Sequence, residues 1–209
     1  QETVEISDEY FTTMRVIGLY PITSLPVVAV THNVFEEMTE WHRTPLHELE
    51  TVGTVKYYGP QQHLKYSPGK IRTMLLASGS NPLRIPDLSE SERRALLLMF
   101  APVFAQDTVA DYDKIGEMIW ENNMPAVNPS IPTVYYYFSH ARFEGMPVIQ
   151  LNYVIWFSDR KGPESPWFER GRLDGLTVRI SLDPEGRPFM VDIMNNSGCY
   201  HFFIPDEDR

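Results

Sequence analysis

The chain has 209 residues, of which 43% are hydrophobic and 12% aromatic, with a formal net charge of −10 and a pI near 5.0. That length and apolar content fit one globular domain over 1–209, burying roughly 70% of its unfolded surface without help from a disulfide or metal. The acidic balance argues against nucleic acid and anionic membranes as partners, since phosphate recognition needs clustered Lys and Arg, and no apolar run reaches the ~20 residues of a membrane span.

The first half, 1–131, reads as a mixture of short helices, loops and strand pieces. Residues 14–30 are apolar and β-branched and are cut by Pro21 and Pro26, which predicts extended segments. Asn33 with Glu36 forms a capping-box pattern and predicts a helix over 34–43. Thr44-Pro45, a cap followed by Pro in the first turn, predicts a short helix to Glu50. Residues 52–58 read as a strand. The stretch 61–86 is punctuated by Gly and Pro and holds a possible strand at 71–77. Ser89 and Glu92 give the clearest capping box, opening a helix that Pro102 ends. Residues 114–122 fit a further short helix, and the proline clusters around 125–132 and 163–166 read as loops.

From Thr133 the pattern changes to period two. Val134, Tyr136 and Phe138 share one face, and Glu144-Gly145 is a turn. Residues 148–157 form a nearly all-apolar run, which predicts a central strand covered on both sides. Leu176, Val178, Ile180 and Leu182 alternate with Thr177, Arg179 and Ser181, and the turn over 183–186 leads to a partner strand carrying Phe189, Val191 and Ile193. A last strand runs over 199–204. Strands joined in sequence by short turns predict an antiparallel meander over 132–205, and so an α+β fold.

The chemistry-bearing residues concentrate at the end of this meander. Cys199 and His201 are two apart on a predicted strand, so their side chains leave the same face, with Phe203 beside them. A thiol next to an imidazole can serve as a nucleophile, because a nearby His⁺ favours the thiolate. The pair is also half of a zinc site, which needs two more ligands. The plainer alternative is a buried Cys and a hydrogen-bonded core His. His140 ends the first meander strand and would join His201 as a metal ligand if the first and last strands were neighbours or the sheet closed. Asp174 opens a strand and could act as an acid–base group, or simply accept backbone donors and pair with a neighbouring arginine. His32, His42, His47 and His63 read as surface residues. The zinc-protease pattern His-Glu-x-x-His is absent, because Thr51 stands where its second His belongs. Glycine-rich phosphate loops and the Gly-x-Ser-x-Gly elbow are missing too.

Several pieces of the second half resemble a family of uncharacterised, exported bacterial proteins. They include Gly171-Arg172-Leu173-Asp174-Gly175, Gln150-Leu151-Asn152-Tyr153, and Gly198-Cys199-Tyr200-His201. In that family a His and a second Cys precede the Gly-Cys-Tyr-His piece, where this chain has Met194 and Ser197 or their neighbours. If the family site binds metal, this chain has lost potential ligands. The resemblance implies export and brings no activity with it. Gln1 in place of Met is compatible with a chain that begins after processing of a secretory precursor, or with a fragment; a cytoplasmic location is the alternative. The function read from the sequence is a soluble binding or assembly protein for an unknown protein partner or small molecule. The alternative is a metal- or thiol-dependent hydrolase or oxidoreductase centred on Cys199 and His201, with a divalent ion such as zinc as its possible cofactor.

Overall fold

A computed structural model describes residues 20–65, 67–160, 171–198 and 200–206. The chain divides into two compact units, one ending at Glu50 and one beginning at Thr51.

Among its described residues the first unit contains helix α1 (Tyr20–Arg43) and a short 3-10 turn, Leu46–Glu48, placed where Thr44-Pro45 predicts a helix start. The extended segments expected over 14–30 are corrected from Tyr20 onward, where the chain is helical; residues 14–19 lie outside the described residues. Ile22, Leu25 and Val28 recur every third residue, a helical spacing that β-branching and Pro26 obscured. All three are exposed. Asn33 and Glu36 lie inside this helix and do not begin one.

The second unit is built on an antiparallel sheet of five strands in the order β5-β6-β7-β8-β9. Two two-stranded antiparallel sheets precede it in the chain, of which only the second is a hairpin. One pairs β1 (Thr54–Tyr58) with β2 (Phe104–Thr108), the latter unforeseen in the sequence. The other pairs β3 (Glu117–Glu121) with β4 (Met124–Asn128) and corrects the helix expected over 114–122. Its turn is Asn122-Asn123, with φ of 49° and 64°. A two-residue loop with two positive φ angles matches the twist of a hairpin, and Asn tolerates that region. Pro125, read as loop, is accommodated in the short strand β4.

Helix α2 (Pro68–Ser78) replaces the strand expected at 71–77. Ser67 stands at the N-cap position without a side-chain capping bond, and Pro68 occupies the first turn, the same signal that Thr44-Pro45 carries. Ile71 and Leu75, one turn apart, are its buried residues. Helix α3 (Glu90–Phe100) starts at the capping box read from Ser89 and Glu92. The Ser89 hydroxyl accepts from the Glu92 N–H, and the Glu92 carboxylate accepts from the Ser89 N–H at 2.9 Å.

The meander follows as predicted: β5 (Tyr135–Phe143), β6 (Met146–Phe157), β7 (Asp174–Leu182), β8 (Pro188–Asn195) and β9 (His201–Pro205). Glu144 and Gly145 turn the first hairpin with φ of 50° and 79°. Strand β6 is central, and residues of both its faces are buried. The register gives the two faces opposite characters. One rung across all five strands reads Phe138, Leu151, Ile180, Val191 and Ile204. On this face Leu151 and the neighbouring Ile149 and Tyr153 pack with Ile71, Leu75, Leu96 and Leu97 of α2 and α3 as the main core. The adjacent rung, on the opposite face, reads Tyr137, Asn152, Arg179, Asp192 and Phe203. Among the described residues no helix is long and apolar enough to cross a membrane.

Candidate functional site

The predicted site residues are distributed by the sheet as follows. His201 opens β9, and its ring lies 4.0 Å (centroid to centroid) from that of Phe203, as their shared face requires. Its Nε2 meets Asp192 Oδ1 at 2.9 Å, and Arg179 Nε donates to Asp192 Oδ2 at 3.0 Å. The Asp192 side chain is only 4% exposed. Cys199, and with it the sulfur–imidazole geometry, lies outside the described residues.

The structure does not bring His140 and His201 together. The sheet is open, with β5 at one edge and β9 at the other. Four strand spacings of about 4.8 Å separate the two edges by about 19 Å. The side chains also leave opposite faces, since His140 pairs with Ile149 of the apolar face while His201 pairs with Met194 of the polar one. Asp174 belongs to the apolar-face series of β7. Its Oδ1 accepts from Gly175 N–H at 2.8 Å and from Asn195 Nδ2 at 2.9 Å, and its Oδ2 lies 3.7 Å from Arg160 Nε. These bonds fasten the end of the sheet, the role of an aspartate that accepts local donors. Among the described residues no group of three or more His, Cys, Asp or Glu side chains converges as a metal site.

The polar face carries a second hydrogen-bonded cluster beside the Arg179–Asp192–His201 group. Ser139 Oγ meets Gln150 Oε1 at 3.1 Å, Gln150 Nε2 donates to Ser181 Oγ at 3.0 Å, and Asn152 Nδ2 donates to Ser139 Oγ at 2.9 Å. Gln150, Asn152, Ser181 and Asp192 are all buried. Groups this deeply covered are costly unless paired, and among the described residues Asn152 Oδ1 is the one buried side-chain atom left without a partner. Their pairing ties β5, β6 and β7 side by side, and Asp192 ties β7 to β9 across β8. A carboxylate shared between a guanidinium and an imidazole in this way locks an edge strand to its sheet. It also orients the ring of His201, which is the one feature here that acid–base chemistry could use.

A second site lies on the other side of the unit and was not foreseen. A cleft of about 540 Å³ opens between the end of β1, helix α3 and the start of β5. Its floor is the edge of the core, with Leu97, Tyr153 and Ile115 all buried. Tyr153 Oη donates to the Leu97 carbonyl at 2.9 Å, and burial raises the phenol above its ordinary value near 10. The walls are Tyr57, Tyr58, Pro60, Pro102, Pro132 and Tyr136, with Arg94 from α3 beside them. Tyr57 and Tyr136 are 68% and 62% exposed, so they stand at the opening. Sequence spacing gives no warning of this cleft, because its residues come from separate segments that only the fold assembles.

Against known proteins, no family model, no curated protein and no solved structure matches the chain.

Proposed function

We propose that the chain is a binding protein whose ligand site is the cleft between β1, α3 and β5. The single observation behind this reading is a preformed concavity of about 540 Å³ with a buried, largely apolar floor, open aromatic walls and, besides the tyrosine hydroxyls, the polar side chains of Gln61, Arg94 and Thr133. Small-molecule sites have this size and composition, commonly ~300–1,000 Å³ with a small number of placed polar groups. A floor built from core residues such as Leu97 and Tyr153 keeps the cleft open without a ligand, so little ordering entropy opposes binding. Export and kinship with the bacterial family quoted above belong to the same proposal and rest on the sequence motifs.

The test uses Nile red, a neutral dye that brightens on entering apolar sites. The whole chain should bind the dye saturably and one to one. Thr133→Trp, which places a bulky ring in the lining at a loop position, should abolish binding while the melting temperature holds. Dye binding that survives Thr133→Trp, or no saturable binding at all, would remove the cleft reading.

One observation favours the alternative, a thiol- or metal-dependent enzyme at Cys199 and His201: the Asp192–His201 bond, which fixes the imidazole. Rapid labelling of the native thiol near neutral pH, slowed by His201→Gln, supports that reading, whereas a thiol that reacts only after unfolding excludes it.

A further inference from the structure

We propose that the ligand of the cleft is a compact aromatic monoanion, its ring held between the tyrosine and proline walls and its charge met by Arg94. This rests on the binding reading above and adds the chemical class.

The charge pattern carries the argument. Arg94 is the single ionised group among the described lining residues, which include no Asp, Glu or Lys. Its neighbour Arg93 lies 3.6 Å from Asp87, but Arg94 has no carboxylate partner among the described residues, although Glu90 sits one turn earlier on the same helix. In a chain of net charge −10, carboxylates to neutralise an exposed arginine are plentiful. An unpaired guanidinium beside an apolar cleft therefore offers its fork of donors to something outside the chain, and a planar carboxylate matches that fork bidentately. One arginine, with no lysine and no helix N-terminus in the lining, suits one negative charge better than a phosphate dianion.

The walls select the rest of the ligand. Tyr57, Tyr58 and Tyr136 supply aromatic rings, and Pro60, Pro102 and Pro132 add rigid apolar surface. The chain has nine methionines, yet none of the described ones lines the cleft. Flexible side chains adapt to flexible ligands, whereas rigid aromatic walls favour a ring that packs offset or edge-on against them.

Calorimetry on the whole chain with naphthoate, naphthamide and decanoate separates the possibilities. Naphthoate should bind one to one, about tenfold or more tighter than either of the others, the usual worth of a hydrogen bond to a charged group. Arg94→Gln should bring naphthoate down to the affinity of naphthamide, and Arg94→Lys, which keeps the charge but loses the fork, should fall between them. Arg94 is exposed and has no partner among the described residues, so both variants should melt with the parent. If naphthamide or decanoate matches naphthoate, or naphthoate fails to bind while Nile red still enters the cleft, the aromatic-monoanion assignment is wrong and the cleft reading stands. Failure of Nile red and of all three ligands sinks the cleft reading itself.

Discussion

Replacing Asp192 by Ala tests whether the polar face is a structural lock. Its side chain is 4% exposed and accepts from Arg179 at 3.0 Å and His201 at 2.9 Å. Arg179 is itself only 24% exposed, so losing the carboxylate leaves a largely covered guanidinium without a counter-charge. Breaking a buried pair from one side costs ~3–5 kcal/mol, and residual water access to Arg179 places this case near the lower end, about 3 kcal/mol. His201, 35% exposed, contributes at most about 1 kcal/mol, as surface pairs do. At ~2–4 °C per kcal/mol for a chain of this size, Asp192→Ala should lower the melting temperature by about 6–12 °C, and His201→Ala by less than about 4 °C. Scanning calorimetry measures both. The double variant Arg179→Ala/Asp192→Ala should cost about 1–3 kcal/mol less than the sum of its parts, since the second truncation removes the orphaned charge. Strict additivity, or an Asp192→Ala protein melting within about 2 °C of the parent, would refute the reasoning.

Other substitutions probe the scaffold around the sites. Gly186 has φ +76°, and a Cβ there would sit 2.3 Å from Ile71 Cγ2. Gly186→Ala should therefore destabilise by about 2–4 kcal/mol, read as a lower urea midpoint at unchanged slope. The Ser89 bonds hold the Glu92 carboxyl below its ordinary value. That contribution is present above the ordinary carboxyl range and is lost as pH falls through the lowered value. Glu92→Gln should accordingly flatten the acid limb of a stability–pH curve. Burial raises the Tyr153 phenol, so the stability tied to its neutral form is full below pH 10 and declines as pH rises beyond it. Tyr153→Phe should remove that alkaline decline and cost about 1–3 kcal/mol at neutral pH, because the Leu97 carbonyl loses its donor.

The legible part of the fold was the part governed by short-range rules. Period-two alternation and positive-φ turn residues place β5 to β9 in order, and the capping box at Ser89 places α3. The same rules were present but outweighed elsewhere. Ser67-Pro68 marks the start of α2, yet the β-branched and apolar run after it reads as a strand. Asn122-Asn123 marks a hairpin, yet the polar flanks of 114–122 suit a short helix. In α1 the prolines hid a helical spacing. The candidate site was less legible because it depends on register. Cys199, His201 and Phe203 follow a local two-residue period, and His201 and Phe203 do share a face. The partners of His201 come from elsewhere: Arg179 and Asp192 become opposite only once the turn over 183–186 fixes the pairing of β7 and β8. Opposite charges at alternating positions of two predicted hairpin strands were the available signal. His140 could not be placed without strand order, and the cleft could not be placed without the packing of α3 against the sheet.

The most direct measurement is an amide chemical-shift map of the whole chain titrated with naphthoate. The amides of the non-proline lining residues within 57–61, 94–101 and 133–136, among them Gly59, Leu98 and Thr133, should shift together along one saturation curve. Shifts centred instead on Arg179, Asp192 and His201 would contradict a ligand site in the cleft and return attention to the polar face of the sheet.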